Sequence, residues 1–204
     1  TRFALSRSLS CLILAIFELV SFWIFLISSS FCFLITFKKF YDERGYFSVP
    51  FNRDEFNEGV GMEVNFIQDN LSYSSKNVIR GLHFQTGDYE QSKLVTCTYG
   101  HVLDVVVDIR KDSPTYGKHI SVDLGECFNR LLFVPKGCAH GFLSLAKENI
   151  VYYTCDQYRN QKSETGIIWS DKNLKISWPT KKPILSLKDK KNITFNEYKR
   201  MYLK

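Results

Sequence analysis

From residue 40 onward, short apolar stretches are separated by turn signals every ten residues or so, the spacing of an all-β sandwich or barrel. The run Asp42-Glu43-Arg44-Gly45 reads as a turn that leads into a strand at residues 46–49. Residues 64–68 alternate apolar and polar side chains, and 94–98 form a strand closed by the Tyr99-Gly100 turn. The strongest strand is 101–108, whose apolar residues partly alternate and partly run on. Further strands are expected at 120–124 and 131–134, then, after the turn Pro135-Lys136-Gly137, a hairpin of 141–145 with 150–153. Only residues 196–204 look helical. Helices do not alternate with strands, so a doubly wound sheet is not expected. The chain has no internal repeats.

The first 37 residues break this pattern. Residues 11–37 are almost wholly apolar, with Glu18 the only charge, and are flanked by Arg2 and Arg7 before and Lys38-Lys39 after. A run of about 20 such residues suffices to cross a membrane as a helix, so an anchor over residues 11–37 is one expectation. The alternative is an apolar extension, residues 1–31, with no part in function, followed by one domain over 32–204. Residues 32–36 are short enough to be that domain's first strand.

Composition narrows the class. Of 204 residues, 45% are hydrophobic and 24% charged, as in an ordinary globular protein, and 17 Phe with 11 Tyr favour strands. The net charge is +6, but its densest basic run, Lys181 to Arg200 near the C-terminus, reads as solvated surface or a loose tail rather than a nucleic-acid stripe. A modest positive excess suits an anionic substrate. The six cysteines, at 11, 32, 97, 127, 138 and 155, form no C-x-x-C pair. Free thiols in a reducing compartment are expected, and no zinc site. Neither a G-x-G-x-x-G nor a P-loop is present.

Four histidines remain: His83, His101, His119 and His140. His83 follows Arg80-Gly81-Leu82, and His140 follows a Pro-Lys-Gly turn and precedes Gly141. A lone histidine in an apolar stretch is more often a hydrogen-bonded core residue than a catalyst; two in such settings point toward a site. No tight H-x-H pair exists, which disfavours a metal.

The ordered motifs Asn77-Val78-Ile79-Arg80-Gly81-Leu82-His83-Phe84-Gln85, Lys93-Leu94-Val95, Ser113-Pro114-Thr115-Tyr116-Gly117, residues 100–110 and 135–142, Gly166-Ile167-Ile168-Trp169, Trp178-Pro179 and Leu185-Ser186-Leu187-Lys188-Asp189 closely resemble the dTDP-4-dehydrorhamnose 3,5-epimerases. The resemblance covers about residues 32–189. It implies a cupin-type double-stranded β-helix (jelly roll) with a short C-terminal helix, a cytoplasmic homodimer and no cofactor. It further implies a nucleotide-diphosphate sugar as substrate, with His83 as base, Asp189 as its partner, Tyr153 as acid and Lys93 facing the C4 oxygen. Arg44, Phe47, Gln68, Asn70, Arg80, His140, Glu164 and Lys188 fall on positions that look like substrate contacts.

Those residue types suit the chemistry. A ketone at C4 acidifies the C–H bonds at C3 and C5, and inversion needs a base on one face and an acid on the other. Imidazole can abstract near neutrality, a phenol can donate, and a cation can stabilise the enolate oxygen. Strand alternation lets only one of Tyr152 and Tyr153 line a pocket. Taken alone, Asp189 and Lys93 would be read as surface residues. Two departures from the family pattern, Val49 for an acidic residue and Tyr158-Arg159 for a Tyr-Tyr pair, bear on the choice of nucleotide sugar. A single-centre epimerase on another nucleotide sugar is the alternative within the class. A jelly-roll sugar binder without catalysis is the alternative outside it.

Overall fold

The mixed pattern of residues 101–108 comes from packing on both sides of the strand. A computed structural model describes residues 15–18, 22–27 and 32–202, the first two segments by backbone alone. Its strands are β1 (Ala15–Glu18), β2 (Phe22–Ile27), β3 (Cys32–Phe37), β4 (Phe40–Asp42), β5 (Gly45–Phe47), β6 (Gln68–Ser75), β7 (Ile79–Gln85), β8 (Lys93–Tyr99), β9 (His101–Asp108), β10 (His119–Gly125), β11 (Arg130–Val134), β12 (Cys138–Ser144), β13 (Glu148–Cys155) and β14 (Glu164–Gly166). The helices are α1 (Arg53–Val60) and α2 (Phe195–Tyr202).

Among the described residues the strands form two large antiparallel sheets. One runs β1-β2-β3-β11-β8-β13-β6 and the other β10-β9-β12-β7-β14; β4 and β5 make a separate hairpin. The sheets face each other over a core in which Cys32, Val95, Leu132 and Val151 of the first meet Val102, Val106, Leu124 and Phe142 of the second. Val105 and Val107 of β9 point the other way, under Ile167, Leu174, Phe195 and Tyr198 of the C-terminal segment. Covered on both faces, β9 needs apolar residues at consecutive positions. The expected jelly-roll sandwich is present.

Residues 141–145 and 150–153 are strands but not a hairpin. β12 pairs with β7 and β9, whereas β13 pairs with β6 and β8. The intervening turn crosses from one sheet to the other, which period-two patterning cannot reveal. The strand read at 64–68 begins instead at Gln68, because Val64 packs under α1 with Phe56, Val60 and Phe133. Helix α1 had no counterpart in the pattern, since in eight residues it buries only Phe56, Gly59 and Val60. Its signals are local. The Asn52 side chain accepts from the N–H groups of Asp54 and Glu55, two acids occupy the first turn, and Gly61 closes it in the left-handed region at φ 69°.

The apolar N-terminal run is extended where it is described. β2 pairs with β3 from Phe22↔Phe37 to Ile27↔Cys32, and β1 pairs with β2. The spanning-helix expectation therefore fails over these segments, and its remainder lies outside the described residues. Among the described residues no helix is long and apolar enough to cross a membrane. β3 belongs to the core, with Cys32 and Ile35 buried and a full ladder to β11. Deleting residues 1–30 is expected to leave a chain that melts in one cooperative step by circular dichroism, with β3 as the new sheet edge. A featureless melt would show that the run is part of the core. Cys32, Cys97, Cys138 and Cys155 are buried and Cys127 is exposed, all as free thiols.

Candidate active site

The space between the sheets is apolar at one end and polar at the other. Strand alternation carries inner positions from Val95 to Lys93 on β8, from Val151 to Tyr153 on β13 and from Phe142 to His140 on β12. β6 adds Asn70, which lies opposite Tyr153. These side chains, with Arg80, His83, Arg159, Glu164, Lys188 and Asp189, line an open cavity of about 550 Å³, within the range of small-ligand sites.

The Arg80-Gly81-Leu82-His83 motif works through a bulge. His83 lies opposite His140 and Arg80 opposite Phe142, so three steps on β7 match two on β12. The extra residue reverses the alternation, and both Arg80 and His83 reach the cavity. A side chain on Gly81 would sit 2.6 Å from the Gly141 Cα, and Gly81 has φ 128°. The backbones touch here, which requires glycine on both strands.

Two histidine–aspartate pairs stand side by side. His83 Nε2 lies 2.5 Å from Asp189 Oδ1, leaving Nδ1 for a substrate. Asp189 is 4% exposed and opens a short 3-10 turn, Asp189–Lys191, where its N–H donates to Ser186 Oγ. Burial would raise the Asp189 carboxyl, but the His83 hydrogen bond and charge, with Ser186 and Lys188, hold it below the usual carboxylate range. His140 Nε2 lies 2.9 Å from both oxygens of the wholly buried Asp104. Sequence reading missed Asp104, although a lone carboxylate inside the apolar run of β9 was a usable signal.

Across the cavity stand Lys93 and Tyr153. Lys93 is 8% exposed, and its ammonium has no hydrogen-bond or ion-pair partner among the described residues. Burial lowers it from the ordinary lysine value, against the pull of Cys155, Asp104 and Glu164. Burial raises the Tyr153 phenol. Tyr152, its neighbour, lies outside the cavity lining, as alternation requires. At the rim Glu164 Oε2 accepts from Arg159 Nη2 and Lys188 Nζ, both at 2.8 Å. Burial pushes Glu164 up, but these two cations bring it below its usual value. Arg80 donates to Ser74 Oγ and the Tyr73 carbonyl.

A family model described as dTDP-4-dehydrorhamnose 3,5-epimerase matches residues 30–197. The chain belongs to this family. The epimerase of Shigella flexneri is 49% identical over 74% of this chain and 84% of its own length. That of Escherichia coli K12 is 47% identical over 80% and 89%. A crystal structure of the Bacillus anthracis epimerase with TDP and pyrophosphate bound is 39% identical and superposes with a TM-score of 0.82 over 85% of this chain and 99% of that one. A 3'-monoepimerase of Streptomyces bikiniensis in complex with dTDP-quinovose superposes equally well, at 0.82 over 87% and 90%, with 28% identity.

Of the positions that the epimerase resemblance picks out, His83, Tyr153, Asp189, Lys93, Asn70, Arg80, His140, Glu164 and Lys188 come together around one cavity. Gln68 lies behind them, its Oε1 accepting from the Arg159 N–H and its amide donating to Asn70. Arg44 and Phe47 do not join the site within this chain. They sit on the exposed β4–β5 hairpin, where Arg44 pairs with Asp42. The reason is local: the two-residue turn at 43–44 pairs β4 with β5 alone, so the hairpin joins neither large sheet. Val49 also stays outside the cavity lining, whereas Arg159 is in it. Among the described residues no group of three or more His, Cys, Asp or Glu side chains is placed to hold a metal ion.

Proposed function

We propose that the protein inverts C3 and C5 of dTDP-4-dehydro-6-deoxy-D-glucose, giving dTDP-4-dehydro-L-rhamnose for polysaccharide synthesis in the cytoplasm. One observation carries this reading: a base and an acid reach one cavity from opposite sheets, His83 from β7 and Tyr153 from β13. A sugar ring between them would meet the base on one face and the acid on the other, as inversion demands.

In this reading Asp189 fixes the His83 tautomer, with the proton on Nε2, so that Nδ1 abstracts. The carbanion is delocalised onto the C4 oxygen, where the unpartnered ammonium of Lys93 meets the growing charge. Tyr153 returns a proton from the far side. Arg80 and Lys188 grip the diphosphate through charge-assisted hydrogen bonds, and Asn70, Gln68, His140 and Glu164 place the rest of the substrate. Arg44 and Phe47 would serve only from a second copy of the chain, whose hairpin reaches the mouth of this cavity; the homodimer is part of the proposal.

The test is incubation of the purified protein with dTDP-4-dehydro-6-deoxy-D-glucose in deuterium oxide. Deuterium at both C3 and C5 with the doubly inverted product is expected. Binding without exchange would mean a sugar-binding protein, and inversion at one carbon would place the chain with the 3'-monoepimerase type.

The pH profile separates two of the roles. The alkaline limb of kcat is expected below the ordinary lysine range, because burial lowers Lys93. Tyr153, raised by burial, stays protonated through that limb. Lys93→Arg should therefore slow the reaction and remove the limb, since guanidinium does not deprotonate. A limb left in place by Lys93→Arg would assign it to another group.

A further inference from the structure

Two inversions by one base and one acid create a proton problem. After the first, the proton taken from carbon sits on His83, and Tyr153 is left as a tyrosinate. The second inversion cannot start until His83 has lost that proton and Tyr153 has regained one. With the substrate filling the cavity, the direct path between the two groups is blocked by the sugar ring.

The structure contains a way round. Beside the main cavity, and sharing His83, Lys93 and Tyr153 with it, lies a second chamber of about 60 Å³, room for at least a pair of water molecules at roughly 10–15 Å³ each. Both His83 and Tyr153 line it, so it touches the base and the acid at once. Its walls are polar: Gln68, Asn70, Gln85, Gln91, Lys93 and the Arg159–Glu164 pair contribute, with Phe84 the one apolar member besides the tyrosine ring. Most of these polar atoms are already engaged. Gln85 is used on both sides, donating to the carbonyls of Tyr89 and Tyr158 and accepting from the Asn160 N–H. Gln68 is used similarly. Glu164 has Oε2 taken by Arg159 and Lys188, and beside it Gln91 and Lys93 have groups left for water. Gln91 spends its amide on the Gln157 carbonyl at 2.8 Å, leaving its oxygen as an acceptor. Lys93 has three donors and no partner among the described residues, so it can hold the C4 oxygen with one and a chamber water with another.

We propose that this chamber holds a pair of waters that carry a proton from the His83 imidazolium to the Tyr153 phenolate between the two inversions. The balance closes internally: His83 gives one proton to the first water, the pair passes one on, and Tyr153 receives one, so base and acid are both restored. No proton is gained from or lost to bulk solvent, and the singly inverted sugar need not leave. Lys93 and the Gln91 oxygen position the waters; neither exchanges a proton with the substrate carbon. The inference rests on the double-inversion reading above and adds to it the device that lets both centres react in one binding event.

The test uses Gln91, which lines the chamber but not the main cavity. Gln91→Leu keeps the side chain's bulk and removes its acceptor. In single-turnover reactions with dTDP-4-dehydro-6-deoxy-D-glucose, the first inversion should proceed within about twofold of wild type. The second should slow by at least about tenfold, and singly inverted sugar should be released. Gln91→Glu, which keeps an acceptor facing the chamber, should restore the doubly inverted product. An unchanged ratio of doubly to singly inverted product in folded Gln91→Leu overturns the proposal, as does equal slowing of both steps. If Gln91→Leu does not fold by near-ultraviolet circular dichroism, the same ratio is read on Gln91→Met, whose unbranched chain follows the glutamine. A wild-type protein that inverts neither centre would instead refute the function, and one that inverts a single centre would refute both.

Discussion

His83→Asn is expected to abolish deuterium exchange at both C3 and C5 while the protein stays folded. The loss should be about three orders of magnitude, within the range of a removed general base. Asparagine removes the base, and His83→Gln is run beside it because the glutamine amide extends to where Nε2 meets Asp189. Asp189 is buried and ionised below the usual range through its contact with His83. Stripped of a donor, that carboxylate would cost roughly 1–3 kcal/mol of stability, so His83→Ala confuses lost folding with lost chemistry. His140, the cross-strand neighbour of His83, is the alternative base to watch, because its Nε2 contact with the buried Asp104 carboxylate matches that of His83 with Asp189. Exchange at either carbon in folded His83→Asn would move the base to another group. Mass spectrometry of the recovered sugar nucleotide reads the exchange, and a thermal melt checks the fold.

Tyr153→Phe should separate exchange from inversion. His83 would still remove a proton and return one to the same face, so deuterium should enter the substrate. Delivery from the opposite face should fail, and the inverted product should fall about a hundredfold. The change is close to isosteric, and the Tyr153 hydroxyl has no hydrogen-bond partner among the described residues that the substitution would strand. Stability should therefore be nearly unchanged. Normal yield of the doubly inverted product would show that the acid is another group or a water.

Much of this was open to reading along the chain. The strands announced themselves by alternation where one face was buried, as in β10, and by short apolar runs between turn signals where both were, as in β11. The motif around Arg80 and His83 and the resemblance it carries pointed to the base and to Tyr153, while alternation showed only that one of Tyr152 and Tyr153 can line a pocket. Other assignments needed the folded chain. Taken singly, Lys93 and Asp189 read as surface charges, since nothing local distinguishes a buried lysine from a solvated one. Lys93 is buried because β8 is an inner strand, and Asp189 because the segment after β14 folds back onto β7, more than 100 residues away along the sequence. The hairpin read between β12 and β13 failed for the same reason: sheet membership is settled by which strands meet across the core. The apolar segments at 15–18 and 22–27 carry no alternation to tell a strand from a helix, and only pairing, of 22–27 with β3 and of 15–18 with 22–27, makes them strands. The sequence by itself determined which side chains could do the chemistry. The tertiary structure decided on which side of a substrate each stands, because that depends on two sheets closing over one cavity, a contact between residues far apart along the chain.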